Sequence, residues 1–154
     1  MRLARFHSLA LASVLAALAG CTHDMPSSRA AAGAHSLTLR VEGVRSAEGQ
    51  LRAELLGRAE GETTHRRITF AVQDAVPGVN LIRFPNLPAG DYAVQLYHDE
   101  NGNGEVDMNV VGVPREGYGF SNVPVVQGGI PPFDRMKVSV TADVTATAVL
   151  VYQP

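Results

Sequence analysis

From Leu37 the chain alternates with a period of two. Leu37, Leu39 and Val41 are apolar, with Thr38, Arg40 and Glu42 between them, the pattern of a strand that buries one face. After a glycine-bounded turn at Gly43–Gly49, Leu51, Ala53 and Leu55 alternate with Arg52 and Glu54. So short a connection predicts that these two strands pair as a hairpin. A charged loop, Arg58–Arg67, precedes a third run at Ile68, Phe70 and Val72, and Pro77-Gly78 separates it from a fourth, in which Ile82 and Phe84 face inward. Asn86–Tyr92 reads as a turn, where proline fixes φ and Gly90 can supply a positive one. Tyr92, Val94 and Leu96 then share one face, opposite Ala93, Gln95 and Tyr97. Near the end, Met136, Val138 and Val140 form another alternating run. Val144, Ala146, Ala148 and Leu150 run beside a Thr145, Thr147, Val149, Val151 register, as in a strand buried on both faces or central in its sheet. With no helical periodicity and turn signals about every ten residues, the pattern predicts an all-β domain, a single antiparallel β-sandwich of about seven strands of immunoglobulin-like kind.

The first 35 residues follow a different rule. Met1, Arg2 and Arg5 lead into an apolar run, Leu9–Ala19, and then Leu18-Ala19-Gly20-Cys21. A basic start, an apolar stretch too short to span a bilayer and small residues before a cleavage point make a secretory signal over residues 1–20. Small residues directly before a cysteine resemble the lipobox of bacterial lipoproteins, so Cys21 is expected to become the acylated N-terminus. It is the only cysteine, which excludes an internal disulfide. Thr22 stands where the inner-membrane retention signal of many such lipoproteins has Asp, pointing to the outer membrane with the protein facing the periplasm. Residues 21–35 are small and polar and read as a flexible tether, leaving 36–154 as the folded domain.

The formal charge is −2, and cleavage would remove Arg2 and Arg5, making the remainder more acidic by two. There is no basic cluster, which argues against nucleic acid as a partner.

One polar stretch carries candidate chemistry. Counting Asp99 as position one, Asn101, Asn103, Glu105 and Asp107 occupy positions three, five, seven and nine, and Gly104 occupies six. That is the first half of a calcium loop, in which alternate oxygens converge and glycine permits the sharp turn; the Glu105 contribution would be its backbone carbonyl. Position twelve is Val110 rather than a bidentate Glu, so Ca2+ binding would be weak, with a Kd of about 10⁻⁴–10⁻³ M. Glu100, Asn109 and Glu116 are the candidates to supply the missing oxygen. The competing reading is a tight Asn-Gly turn with solvated acids.

Val111–Asn122 sets Tyr118 and Phe120 among Gly112, Gly117 and Gly119. With Tyr97, these rings offer a surface for a ligand such as a glycan, or they tuck beneath a long loop as a lid over the core. A triad of Ser121, His98 and an Asp can be assembled only on paper, without a nucleophile elbow. The expectation is therefore a protein that is not an enzyme, with a carbohydrate-binding module as the alternative and an envelope hydrolase as the remoter one.

Three runs, Leu87–Val94 (LPAGDYAV), Tyr97–Gly104 (YHDENGNG) and Gly112–Asn122 (GVPREGYGFSN), resemble the bacterial family known as domain of unknown function 2141. The resemblance extends from about Leu37 to Tyr152. It implies an exported protein with a prealbumin-like sandwich and supplies no catalytic residues. The family's later Phe-Asp-Asp-Ala element stands here as Phe133-Asp134-Arg135-Met136.

Overall fold

The structure is a computed structural model and describes residues 33–59, 61–124 and 129–153. The signal segment, Cys21 and most of the tether lie outside these residues. Eight strands form in chain order: β1 (His35–Val44), β2 (Gln50–Arg58), β3 (Arg66–Asp74), β4 (Gly78–Leu87), β5 (Gly90–Asp99), β6 (Gly117–Phe120), β7 (Val138–Val140) and β8 (Val144–Val149). One short helix, α1 (Phe133–Met136), precedes β7. Among the described residues no helix is long and apolar enough to cross a membrane.

Two sheets make the sandwich. The smaller has the order β4-β1-β8, and the larger β3-β2-β5-β6, with β7 also pairing β5. The inward residues are those the alternation marks: Leu37, Leu39 and Val41 face Leu51, Ala53 and Leu55 across a core completed by Phe84, Val94, Val140 and Ala148. All ten are at most 2 % exposed. Each such aliphatic side chain contributes about 1.5–3 kcal/mol of burial free energy, which fixes which face of each strand points in.

Which strands are neighbours is another matter. β1 and β2 do not form a hairpin: β1 pairs β4 and β8, whereas β2 pairs β3 and β5. The five residues between them carry the chain from one sheet to the other, so that their apolar faces oppose each other instead of lying side by side. Alternation reports which residues are buried and says nothing of the hydrogen-bonding partner. The sandwich is not wholly antiparallel either, because β1 and β8 run parallel from Leu37↔Val144 to Glu42↔Val149. β8 is an edge strand rather than a central one. Beyond it the chain leaves β1 and bonds to β6, with Tyr118 and Val151 exchanging N–H···O contacts of 3.1 and 2.9 Å, so the C-terminal segment closes one side of the sandwich.

The glycines of β6 permit that closure. A Cβ on Gly119 would lie 2.7 Å from the Val149 carbonyl oxygen, and one on Gly117 would lie 2.3 Å from the Tyr152 ring. Neither contact is possible with a side chain present. Gly117–Phe120 is consequently a strand in register with β5, not part of a loop.

The outer face of the larger sheet divides in two. At one end Leu56, Ala93 and Phe120 are covered by Val123, Phe133 and Met136, forming a second apolar cluster. At the other end nothing among the described residues closes over the sheet, and a groove remains.

Candidate functional site

β5 delivers the acidic loop. Its inner face carries His98, which is fully buried; Nε2 lies 2.7 Å from the Glu48 carbonyl oxygen and Nδ1 lies 2.7 Å from the Tyr152 hydroxyl. A carbonyl only accepts, so Nε2 carries hydrogen and donates to it. The imidazole thus ties the end of β5 to the β1–β2 connection and to the C-terminal segment. Ser121 is also fully buried, donating to the Met136 carbonyl and accepting from the Val94 N–H. The structure does not join these two side chains as a catalytic pair: each is engaged with a different part of the scaffold.

Asp99 ends β5 with no exposed surface. Its carboxylate accepts from Arg52 Nε at 2.7 Å, from the Gly104 N–H at 2.9 Å and from the Asn103 N–H at 3.0 Å. Holding both N–H groups from one carboxylate bends the loop back over its first residue. Gly102 and Gly104 stand at φ +70° and +81°, a region open to glycine at little cost. Asn101 and Asn103 each accept the N–H two residues on, at 3.0 and 2.8 Å, and each donates an amide hydrogen to Asp107, at 2.6 and 3.2 Å.

Asp99, Asn101, Asn103 and Asp107, four of the five residues expected to act as ligands, therefore belong to one hydrogen-bonded loop. The Glu105 side chain is exposed, and its N–H serves the Asn103 turn. Among the described residues no three His, Cys, Asp or Glu side chains are grouped to hold a metal. A cation here would rest on two carboxylates supplemented by amide and backbone oxygens, the hard-donor set that Ca2+ accepts.

The candidates for the missing oxygen have separate occupations. Glu100 is held by Arg45, with Nε 2.8 Å from Oε1, and that hydrogen bond keeps its carboxyl below the ordinary range despite partial burial. Asn109 accepts the N–H groups of Val111 and Val113 and shapes its own turn. Glu116, 4 % exposed, accepts the Glu100 N–H at 3.2 Å and the Asp107 N–H at 3.3 Å, linking both ends of the loop. Burial raises its carboxyl above the usual value; the two N–H groups oppose this, and the nearby Asp99 and Asp107 carboxylates reinforce it. Adding positive charge would relieve that crowding of acids.

Beside the loop lies the groove, with a volume of about 870 Å³. Register builds its floor. Val72, Arg52, Tyr97 and Tyr118 stand in line across β3, β2, β5 and β6, and Phe70, Glu54, Gln95 and Phe120 form the adjacent row. Val106, Met108 and Pro114 of the acidic loop provide one wall. Loop and groove share parts, since Arg52 holds Asp99 and the Tyr97 hydroxyl donates to the Gly104 carbonyl at 2.9 Å.

Tyr97 and Tyr118 are half-buried and line the groove, while Phe120 is 5 % exposed and also belongs to the closed cluster. Tyr118 meets Phe120 edge to face at 6.2 Å. All three rings line the groove, and Phe120 is also packed in the covered cluster. Arg52, Glu54, Gln95 and Phe70 were not among the expected site residues. Their one signal is the outward register of each strand, which acquires meaning only when β2, β3 and β5 are placed side by side.

No curated protein and no solved structure matches the chain. Residues 39–148 match the family model described as an uncharacterized protein conserved in bacteria, domain of unknown function 2141. The match covers more than two thirds of the sequence and takes in β2 to β7, the acidic loop and the groove floor. The chain belongs to that bacterial family.

Proposed function

We propose that this protein is a lipid-anchored component of the bacterial envelope, without catalytic activity, in which a calcium-ordered loop keeps an interaction surface in shape. The lipobox-like Leu18–Cys21 supports the anchor, and Thr22 supports an outer-membrane location facing the periplasm. The observation that carries the calcium reading is the buried Asp99 carboxylate, which draws the Asn103 and Gly104 N–H groups to itself. It curls the loop so that Asn101 and Asn103 reach Asp107 by hydrogen bonds, with Glu105 between Asn103 and Asp107 in sequence. The ion would act structurally, holding loop residues 99–107 and through them the groove wall.

The test is calorimetry of the mature, micelle-bound protein titrated with CaCl2, paired with thermal melts. Heat with a Kd in the range of about 10⁻⁴–10⁻³ M is expected, and Ca2+ at ten times Kd should add about 1.4 kcal/mol of stability. No heat at millimolar Ca2+, with an unchanged Tm, would overturn the calcium reading. Mass spectrometry of the mature N-terminus tests the anchor independently, since an unmodified Cys21 would exclude it.

A further inference from the structure

We infer that the groove on the outer face of the larger sheet is a binding site for an uncharged oligosaccharide. This deepens the interaction role proposed above and rests on it. Three features of the floor select that chemistry. First, its charges cancel in pairs: Arg52 with Asp99, and Arg67 with Glu54 at 3.2 Å. A strongly ionic ligand would find no uncompensated partner, whereas a neutral one displaces nothing costly.

Second, planar polar groups lie between rings. Arg52 and Glu54 on β2 and Gln95 and Tyr97 on β5 occupy the middle strands, with Phe70 on the β3 flank and Tyr118 and Phe120 on the β6 flank. Arg52 spends its Nε–H on Asp99, and Gln95 donates an amide hydrogen to Glu54. Among the described residues no hydrogen bond takes the Arg52 terminal N–H groups or the Gln95 side-chain carbonyl, and both residues line the groove. A sugar ring offers the matching surfaces, an apolar face of C–H bonds and an equatorial belt of hydroxyls.

Third, the floor is a sheet face, not an edge. The backbone groups of β2 and β5 are bonded to their neighbours, so an extended peptide could not add itself as a strand there. Recognition must come from side chains, which suits a glycan. The floor spans four strands, roughly 14 Å, and the volume of about 870 Å³ is that of a small-molecule site rather than a docking face. These dimensions fit a short chain of sugars better than a single one.

Calorimetry of the mature, micelle-bound protein against maltotriose, cellotriose and tri-N-acetylglucosamine tests the inference, with laurate as an apolar control. Binding of at least one trisaccharide is expected, weakened about tenfold by Tyr118→Ala and retained by Tyr118→Phe. Should Tyr118→Ala fail to fold, Gln95→Ala serves in its place, with a weakening of similar size expected. No trisaccharide heat, sugar binding that ignores the substitution, or laurate binding in place of every sugar would each overturn it. Titrations in Ca2+ and in chelator separate the two proposals. Sugar binding without a calcium heat removes the calcium reading and leaves the groove, and a calcium heat without sugar binding does the reverse.

Discussion

The two ends of the larger sheet's outer face have the same strands beneath them and different fates. At the closed end Phe133 and Met136, 5 % and 1 % exposed, lie over Leu56, Ala93 and Phe120. Arg58 stacks its guanidinium 4.6 Å from the Phe133 ring centre and pairs with Asp134, sealing the rim. At the open end the corresponding outward positions are Arg52, Glu54, Gln95 and Tyr97, which line a groove together with Val106, Met108, Pro114 and Ile130 instead of lying beneath a closed apolar cluster. The difference is therefore made by what outward residues offer a returning segment. Leu56 and Ala93 can be buried under hydrocarbon at no polar cost, whereas Arg52 and Glu54 cannot. The sheet is finished by packing at one end and left grooved at the other.

The largest expected effect breaks the closed end. Phe133→Ala removes a buried ring from a small cluster, and urea denaturation should show a loss of about 3–4 kcal/mol. Faster amide exchange should be confined to the neighbourhood of Leu56, Ala93 and α1; an equal effect at residues 100–116 would mean that the two ends are one unit. Next in size is Asp99→Ala at the open end. It leaves Arg52 without its partner and two loop N–H groups without their acceptor, costing about 2–3 kcal/mol given that Arg52 is partly exposed. Calcium heat should vanish with it. Here the loop should loosen while α1 keeps its protection, the converse of the first substitution.

The smallest effect is on pH dependence. Arg45 holds the Glu100 carboxyl below its ordinary value, so the contribution of that pair is present above the usual carboxylate range and is lost as pH falls through the lowered folded value. Glu116 runs the other way: burial raises its carboxyl, so its relative contribution is present below the ordinary value and is lost as pH rises through the raised one. Glu100→Gln should flatten the acid limb between about pH 5 and pH 3, by less than about 1 kcal/mol because Arg45 is half exposed. Urea midpoints across that range measure it. An unchanged slope would show that the Arg45–Glu100 clamp does not differ energetically between folded and unfolded chain.

The same contrast explains what the sequence disclosed. The strands were legible because burial imposes period two locally, and the inward faces of Leu37, Leu51, Phe84 and Val94 follow from it directly. Pairing was not, because β1 contacts β4 and β8 across long separations that leave no local mark. The acidic loop was legible for the same reason as the strands: Asp99 to Asp107 is a nine-residue device whose hydrogen bonds run two to six positions along the chain. Most of the groove was hidden because positions 52, 54, 70 and 95 of its floor are unremarkable in their own neighbourhoods and meet only when the strands are set side by side. Tyr118 and Phe120 were visible as rings between glycines, yet whether they cover or present depended on Gly117 and Gly119 admitting the C-terminal segment.

That parallel β1–β8 pair also has a bearing on how the molecule is made. The first strand of the domain finds one of its two neighbours only once residues 144–149 have been synthesised, and closing so long a loop is slow. Until then β1 has an unsatisfied edge and the core lacks Ala146, Ala148 and Leu150. The growing chain cannot finish its smaller sheet early, so it stays pliable for as long as it is incomplete. Export through a membrane before folding, as proposed for this chain, would gain from that delay.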